Sequence, residues 1–330
     1  MRITRTHLVE AARREVERRA ETDGLVAAYL IGSIVHDQAV FGGAADIDLV
    51  LVHDHSPDSR REIVGLSDEV HLDIAHHHRD QYAQPRLLRL DPWLGPAIYD
   101  PLPLHDPQHF FEWAQASARG QFLRPDHRAA RASAFLQRAR RLQAAFDAER
   151  PWVSSFARAA LCGANAIATL AGQPVAGRRL LLLLDAAAAE AGCPEAYGGL
   201  LRLLGAEARG PLDFADWVSS WARAYDAASS LTAESDLLPE RRDYYLRAFQ
   251  AQLESDTPHA VLYTLLDTWE RTLATLSAFG QAEEHRSSFD TAATRLELTA
   301  ADAAHRFDEL EAYFDHLEAF LEEWSARHGA

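Results

Sequence analysis

No lysine occurs anywhere in the 330 residues, so all 33 basic side chains other than histidine are arginine, and they face 49 aspartates and glutamates for a net charge of -16. Such an excess of negative charge repels nucleic-acid phosphate and favours cationic small molecules or basic partners. It also means that any polyphosphate must be held by arginine, histidine, a metal ion or backbone amides. Cysteine is almost as scarce: Cys162 and Cys193 are the only two, with no metal-ligand spacing around them. Two isolated thiols exclude a disulfide framework and fit a reduced compartment, where both read as small buried residues. No apolar run reaches the ~18 residues that a membrane span needs. The start, Met1-Arg2-Ile3-Thr4-Arg5, leads into a charged helical pattern rather than a signal peptide. The expectation is a cytoplasmic protein that binds neither membrane nor nucleic acid. With 48% hydrophobic and 25% charged residues, the composition is that of an ordinary globular chain, long enough for two domains.

The periodicity of the chain changes after about Pro107. Before it, apolar spacing predicts a helix over 6–20, strands over 25–31, 47–52 and 70–75, and a helix over 79–90. Ile34 to Val40 suits a short helix, Gly42-Gly43 a loop, and Ile98-Tyr99 a short edge strand. After it, strand signals vanish. Alanine-, leucine- and arginine-rich helical patterns cover 108–120, 126–149, 151–170, 178–191, 211–229, 239–254, 259–279 and 300–327, three of them opened by Pro151, Pro211 and Pro239. The last carries Phe307, Leu310, Phe314, Leu317, Leu321 and Trp324 at 3-4-3-4-3 spacing. That stripe packs on a neighbouring helix of its own bundle or of a partner subunit, the latter making a homodimer. The predicted class is α+β: a domain over 1–107 with a small sheet and flanking helices, then an all-helical domain over 108–330, with a potential division near 205–211.

The chemistry concentrates in Gly32-Ser33, twelve intervening residues, Asp46-Ile47-Asp48, and Asp73 on the next strand. Residues two apart on a strand share a face, so Asp46 and Asp48 project together while Ile47 and Leu49 point into the core. Adjacent carboxylates repel unless a cation lies between them, and hard oxygen donors favour Mg²⁺, with Mn²⁺ as the alternative. Asp73, flanked by Leu72 and Ile74, completes a three-carboxylate cluster suited to two metal ions; Glu69 is its rival. Gly32 allows backbone to approach phosphate closely, and Ser33 adds a hydroxyl donor at a helix start, which makes the pair the nucleotide-binding candidates.

This run of residues resembles the signature of the DNA polymerase β-like nucleotidyltransferase superfamily: an apolar strand (Tyr29-Leu30-Ile31), a Gly-Ser turn, a loop, then acidic-apolar-acidic in a strand. The segment from Asp91 to Pro107 is similar to the end of that domain. The likeness covers about the first 107 residues, and the layout with a helical C-terminal domain is most like the antibiotic nucleotidyltransferases of aminoglycosides and lincosamides. It departs in its long loop, in the displacement of the loop glycine to Gly42-Gly43, and in Ala45, where serine often stands. The resemblance implies a mixed, mostly antiparallel sheet and Asp46, Asp48 and Asp73 as catalytic metal ligands for two Mg²⁺ ions. It further implies transfer of a nucleoside monophosphate, AMP by preference, from a nucleoside triphosphate to a hydroxyl of a small acceptor. Nucleotidylation of a protein partner, as in toxin-antitoxin pairs, and a catalytically silent binding module are the alternatives. Of the remaining residues, His76-His77-His78 read as a solvated loop and Trp93 and Trp152 as core. Arg128, Arg131, Arg138, Arg140 and Arg141, and likewise Arg178-Arg179, read mostly as a solvated face, with one or two of them as candidates to reach the triphosphate. Asp147 and Glu149 are candidates for binding a cationic acceptor or acting as an auxiliary base.

Overall fold

The computed structural model describes residues 3–21, 24–36, 40–148, 150–207, 212–232 and 237–330. The chain forms two compact units, one of residues 1–122 with 234–248, the other of 123–233 with 249–330. The first unit thus joins the N-terminal part of the chain to a segment from far down it.

The first unit is built on a mixed six-stranded sheet, in the order β4-β5-β3-β1-β6 with β2 paired to β3. Helix α1 (Arg5–Ala20) is capped by the Thr4 hydroxyl, which accepts from the His7 amide. The strands are β1 (Leu25–Leu30), β2 (Val40–Phe41), β3 (Ala44–His53), β4 (Arg61–Ser67), β5 (Val70–His78) and β6 (Leu102–His105). Neighbouring β3 and β5 run parallel, and every other pairing is antiparallel. Gly42 and Gly43 both have positive φ and close a two-residue hairpin between Phe41 and Ala44, a turn that demands residues without Cβ. One sheet face carries Leu30, Ile47, Leu49, Leu51, Leu72 and Ile74 against Leu8, Ala12 and Val16 of α1. The other is covered over half its length by Tyr82 and by three helices: α2 (Pro85–Leu88), α3 (Leu94–Tyr99) and α4 (Phe110–Arg119). There Tyr29 stacks on Phe111 at 4.1 Å.

Several local expectations give way. The Ile98-Tyr99 strand is the end of α3, whose start is fixed by Asp91 Oδ1 accepting from the Trp93 and Leu94 amides at 2.9 and 2.6 Å. The edge strand lies further on, at β6, where Pro103 is tolerated because an edge position has a free side. The helix over 79–90 is broken by Pro85 into a 3-10 turn (Arg79–Tyr82) and α2. The 34–40 helix reduces to a single 3-10 turn, Gly32–Ile34; residues 37–39 lie outside the described residues. His76 to His78 form the end of β5 rather than a loop.

The second unit contains α5 (Pro125–Gln143), α6 (Val153–Ala171), α7 (Leu180–Ala191), α8 (Glu195–Leu203), α9 (Phe214–Ser229), α11 (Leu262–Ala278), α12 (Glu283–Arg295), α13 (Ala303–His328) and the end of α10 (Pro239–Leu253), whose earlier residues belong to the sheet unit. Helix α6 is long and apolar enough to cross a membrane, and 89% of its apolar stretch is buried inside the protein. Gly163 of α6 lies against the Phe314 ring, so α13 packs onto α6 at close range. The α13 stripe is spent within this unit: Leu310, Phe314, Leu317, Leu321 and Trp324 are buried, and Phe307 meets the rings of Phe146, Trp152 and Phe156. The start of a helix at Pro211 falls outside the described residues.

Candidate metal centre

Alternation along β3 and β5 makes the site. On β3 the side chains of Asp46, Asp48, Val50 and Val52 share one face. The parallel register sets Asp46 beside His71 and Asp48 beside Asp73. The far end of this face, Val50 and Val52, lies under the aromatic cover, and the near end carries the acids. Asp46, Asp48 and Asp73 each place a carboxylate oxygen within 4.8 Å of the others, a geometry that can hold a metal ion. Glu69 stands outside this cluster, its carboxylate 3.6 Å from Arg247 Nη2.

Three carboxylates this close cost on the order of 3 kcal/mol per ionised pair at an effective dielectric of about 20. Part of that repulsion is offset by arginine. Arg61 on β4 grips Asp73 with both ends of its guanidinium: Nε donates to Oδ1 at 2.7 Å and Nη2 donates to Oδ2. Arg241, in the first half of α10 and only 5% exposed, donates from Nη1 to Asp73 Oδ2 at 3.4 Å. Burial works against the charge of Arg241, but the surrounding Tyr245, Asp46 and Asp73 outweigh it and hold its pKa above the usual value. His71 Nε2 lies 3.1 Å from Asp46 Oδ1 without hydrogen-bond alignment, and the His71 and Tyr244 rings make a T-shaped contact with centroids 4.7 Å apart.

Gly32 closes the site from the end of β1. Its φ is +72°, and a methyl group on it would collide with the Asp48 carboxylate, so glycine is required for both conformation and space. The Ile31 amide donates to Asp48 O at 3.0 Å, tying the turn to β3. Gly32 therefore lies against Asp48 of the triad. Ser33, the next residue of the same turn, is half-buried.

The other candidates have partners within their own surroundings. Arg140 is bound to Glu318 and Asp315 of α13 at 2.5–2.9 Å, and Arg128 lies over the Trp324 ring. Asp147 pairs with Arg150, and Glu149 is outside the described residues. Trp152 is core, as expected, whereas Trp93 is 38% exposed. His53 Nε2 and His76 Nδ1 are 3.0 Å apart, and His76 Nε2 reaches Glu62 at 3.2 Å.

His71, Arg61 and Arg241 complete the site without having been singled out from sequence. His71 carried a readable signal, since His-Leu-Asp on β5 repeats the phase of Asp-Ile-Asp on β3. Arg61 carried none, because its strand is a half-exposed edge with a glycine inside. Arg241 stands 168 residues from its partner. Comparison of the chain with protein-family models and with curated proteins gives no match.

Proposed function

We propose that the chain is a metal-dependent nucleotidyltransferase of the DNA polymerase β-like kind, transferring a nucleoside monophosphate, AMP by preference, to a hydroxyl of a small cationic acceptor. The observation that supports this reading best is the three-carboxylate cluster of Asp46, Asp48 and Asp73 with Gly32 pressed against Asp48. The donor set fits the metal: oxygen-only ligands on rigid strands suit Mg²⁺ or Mn²⁺. Held there, the ion would supply charge neutralisation at the phosphates and a lowered pKa for the attacking hydroxyl. Asp46 and Asp48 would be its principal ligands, since Asp73 is shared with Arg61 and Arg241. Gly32 would let the backbone of the turn approach a phosphate at the strand end, with the Ser33 hydroxyl as the neighbouring donor. Arg61, paired with Asp73 and with its side chain 38% exposed, would be a guanidinium available to a phosphate at the rim. The acidic surface charge favours a cationic acceptor over a nucleic acid.

One observation favours a second reading, a silent module. Arg61 and Arg241 already compensate Asp73, so the cluster is partly satisfied by protein alone. Calorimetry with ATP, GTP, CTP and UTP, with and without Mg²⁺, separates the two. The enzyme reading expects metal-dependent binding that falls by at least about a hundredfold in Asp46→Ala/Asp48→Ala. It also expects pyrophosphate release with one member of a panel of aminoglycosides and lincosamides. The variant should stay folded, because it removes carboxylate repulsion and no apolar core side chain, and Asp73 remains to pair with Arg241. Absence of metal-dependent nucleotide binding in wild type sinks the enzyme reading and leaves the module.

A further inference from the structure

Cys193 is not the isolated thiol that its place in the sequence suggests. It follows Gly192, which ends α7 in the left-handed conformation, and its amide donates to Ala188 O at 2.9 Å, so the helix exit is fixed. Two residues on, Glu195 opens α8. Tyr313 of α13 donates its hydroxyl to Ala196 O at 2.9 Å, which clamps that first turn, and His316 lies three residues further along the same helix. The result is that Cys193 Sγ lies 3.9 Å from His316 Nε2, and both lie within 4.8 Å of a Glu195 carboxylate oxygen.

We propose that Cys193, Glu195 and His316 form a binding site for a zinc-class divalent ion, distinct in place and chemistry from the carboxylate centre. Thiolate, imidazole and carboxylate together are the donor set of borderline-soft metals and a poor one for Mg²⁺. Zinc bonds of about 2.3 Å to sulfur and about 2.0 Å to nitrogen at tetrahedral angles put the two donors about 3.6 Å apart. The observed separation needs a shift of only a few tenths of an ångström. Glu195 and His316 are exposed and border a cavity of about 320 Å³ that also touches Glu309 and Tyr313, so an ion has an entry path and a fourth ligand has room. Uptake of the ion would displace the thiol proton of Cys193. Three ligands from the α7–α8 corner and from α13 would staple these helices together.

Cobalt(II) titration of the metal-stripped full chain is the test, because thiolate ligation gives a sulfur-to-cobalt absorption band in the near ultraviolet. The expected result is one equivalent of cobalt with that band, displaced by zinc and untouched by excess Mg²⁺. Cys193→Ser should abolish the band, and His316→Gln, at an exposed position, should weaken cobalt binding by at least about tenfold. Cys162→Ser and Asp46→Ala/Asp48→Ala should leave the band in place. Absence of the band in wild type, or its survival in Cys193→Ser, overturns the proposal and leaves an ordinary thiol–imidazole contact.

Discussion

One face of the sheet solves the same problem in two ways along its length. At the near end of β3 and β5 it carries charge: buried Asp46 and half-buried Asp48 and Asp73, balanced by Arg61 and Arg241. At the far end it buries polar groups that are kept neutral. Tyr29 Oη meets Tyr82 Oη at 2.6 Å, and His77 Nδ1 lies 2.8 Å from that Tyr82 oxygen. Burial raises both phenols well above their ordinary pKa and pulls His77 down to about 4. The two ends are continuous, since Asp73, Ala75 and His77 follow one another on the same side of β5. What separates them is the cover. Helices α2 to α4 seal the neutral end with aromatic and aliphatic side chains, and a sealed volume cannot hold ionised carboxylates. The charged end has α10 and open rim instead, which allows an ion to enter.

The largest break in this contrast should come from Gly32→Ala. The added methyl group must occupy the space of the Asp48 carboxylate, and φ of +72° adds a left-handed penalty of about 1–2 kcal/mol. Metal-dependent nucleotide binding should fall by on the order of a hundredfold, about 2.7 kcal/mol, while the neutral end keeps its packing. Manganese titration alongside the melting curve checks this. A variant that binds metal as wild type does would show that the turn and the carboxylates are not one site.

The charged end was largely legible before any coordinates, and the neutral end hardly at all. Asp46, Asp48 and Asp73 announce themselves because each sits in an alternating apolar strand, where a carboxylate is costly unless it is used. The central strands were equally plain, since Ile47 to Val52 and Val70 to Ala75 carry strong apolar patterns. Tyr82 and His77, by contrast, lie in a stretch read as helix and loop, and only tertiary packing gives them their roles. Edge strand β4 was hidden by Glu62, Gly65 and Ser67, and with it Arg61. Helices α8 and α12 were missed for opposite reasons: α8 holds two adjacent glycines, and α12 is polar over most of its surface. Cys193, Glu195 and His316 could not be joined from sequence because 121 residues separate the last two.

A middle-sized effect should follow from forcing charge into the neutral end. The unfolded chain protonates His77 near 6.5 and the folded one near 4. Between those values the unfolded state binds more protons, so the stability that neutral His77 contributes is present above pH 6.5 and is lost as pH falls towards 4. The full interval is worth about 3 kcal/mol, reduced to about 2 kcal/mol by the partial exposure of the ring. His77→Gln can still accept from Tyr82 but never charges. Denaturant titrations should therefore show wild type losing about 2 kcal/mol more than the variant between pH 6.5 and 4. Equal slopes would mean that the ring ionises freely and that the seal over the far end is loose.

The smallest change bears on the main question, because Arg61→Gln asks whether arginine or metal owns Asp73. In the folded chain Arg61 occupies both oxygens of that carboxylate, so an incoming cation must displace it or do without the third ligand. Its side chain is 38% exposed, so its own contribution to stability is screened, about 1 kcal/mol or less. Removing it frees Asp73 and makes the centre one charge more negative. Affinity for Mn²⁺ in the absence of nucleotide should then rise about tenfold, or about 1.4 kcal/mol. The variant also separates the two functional readings. An enzyme binds the metal in wild type and binds it more tightly in Arg61→Gln, at a cost in nucleotide affinity where the guanidinium serves the phosphates. A silent module, sealed by Arg61 and Arg241, binds nothing in wild type and gains a metal only when the seal is cut. Unchanged or weakened affinity would instead make Arg61 a supporting partner of the centre and not its competitor. Its bidentate grip would then hold Asp73 in place for an ion bound alongside.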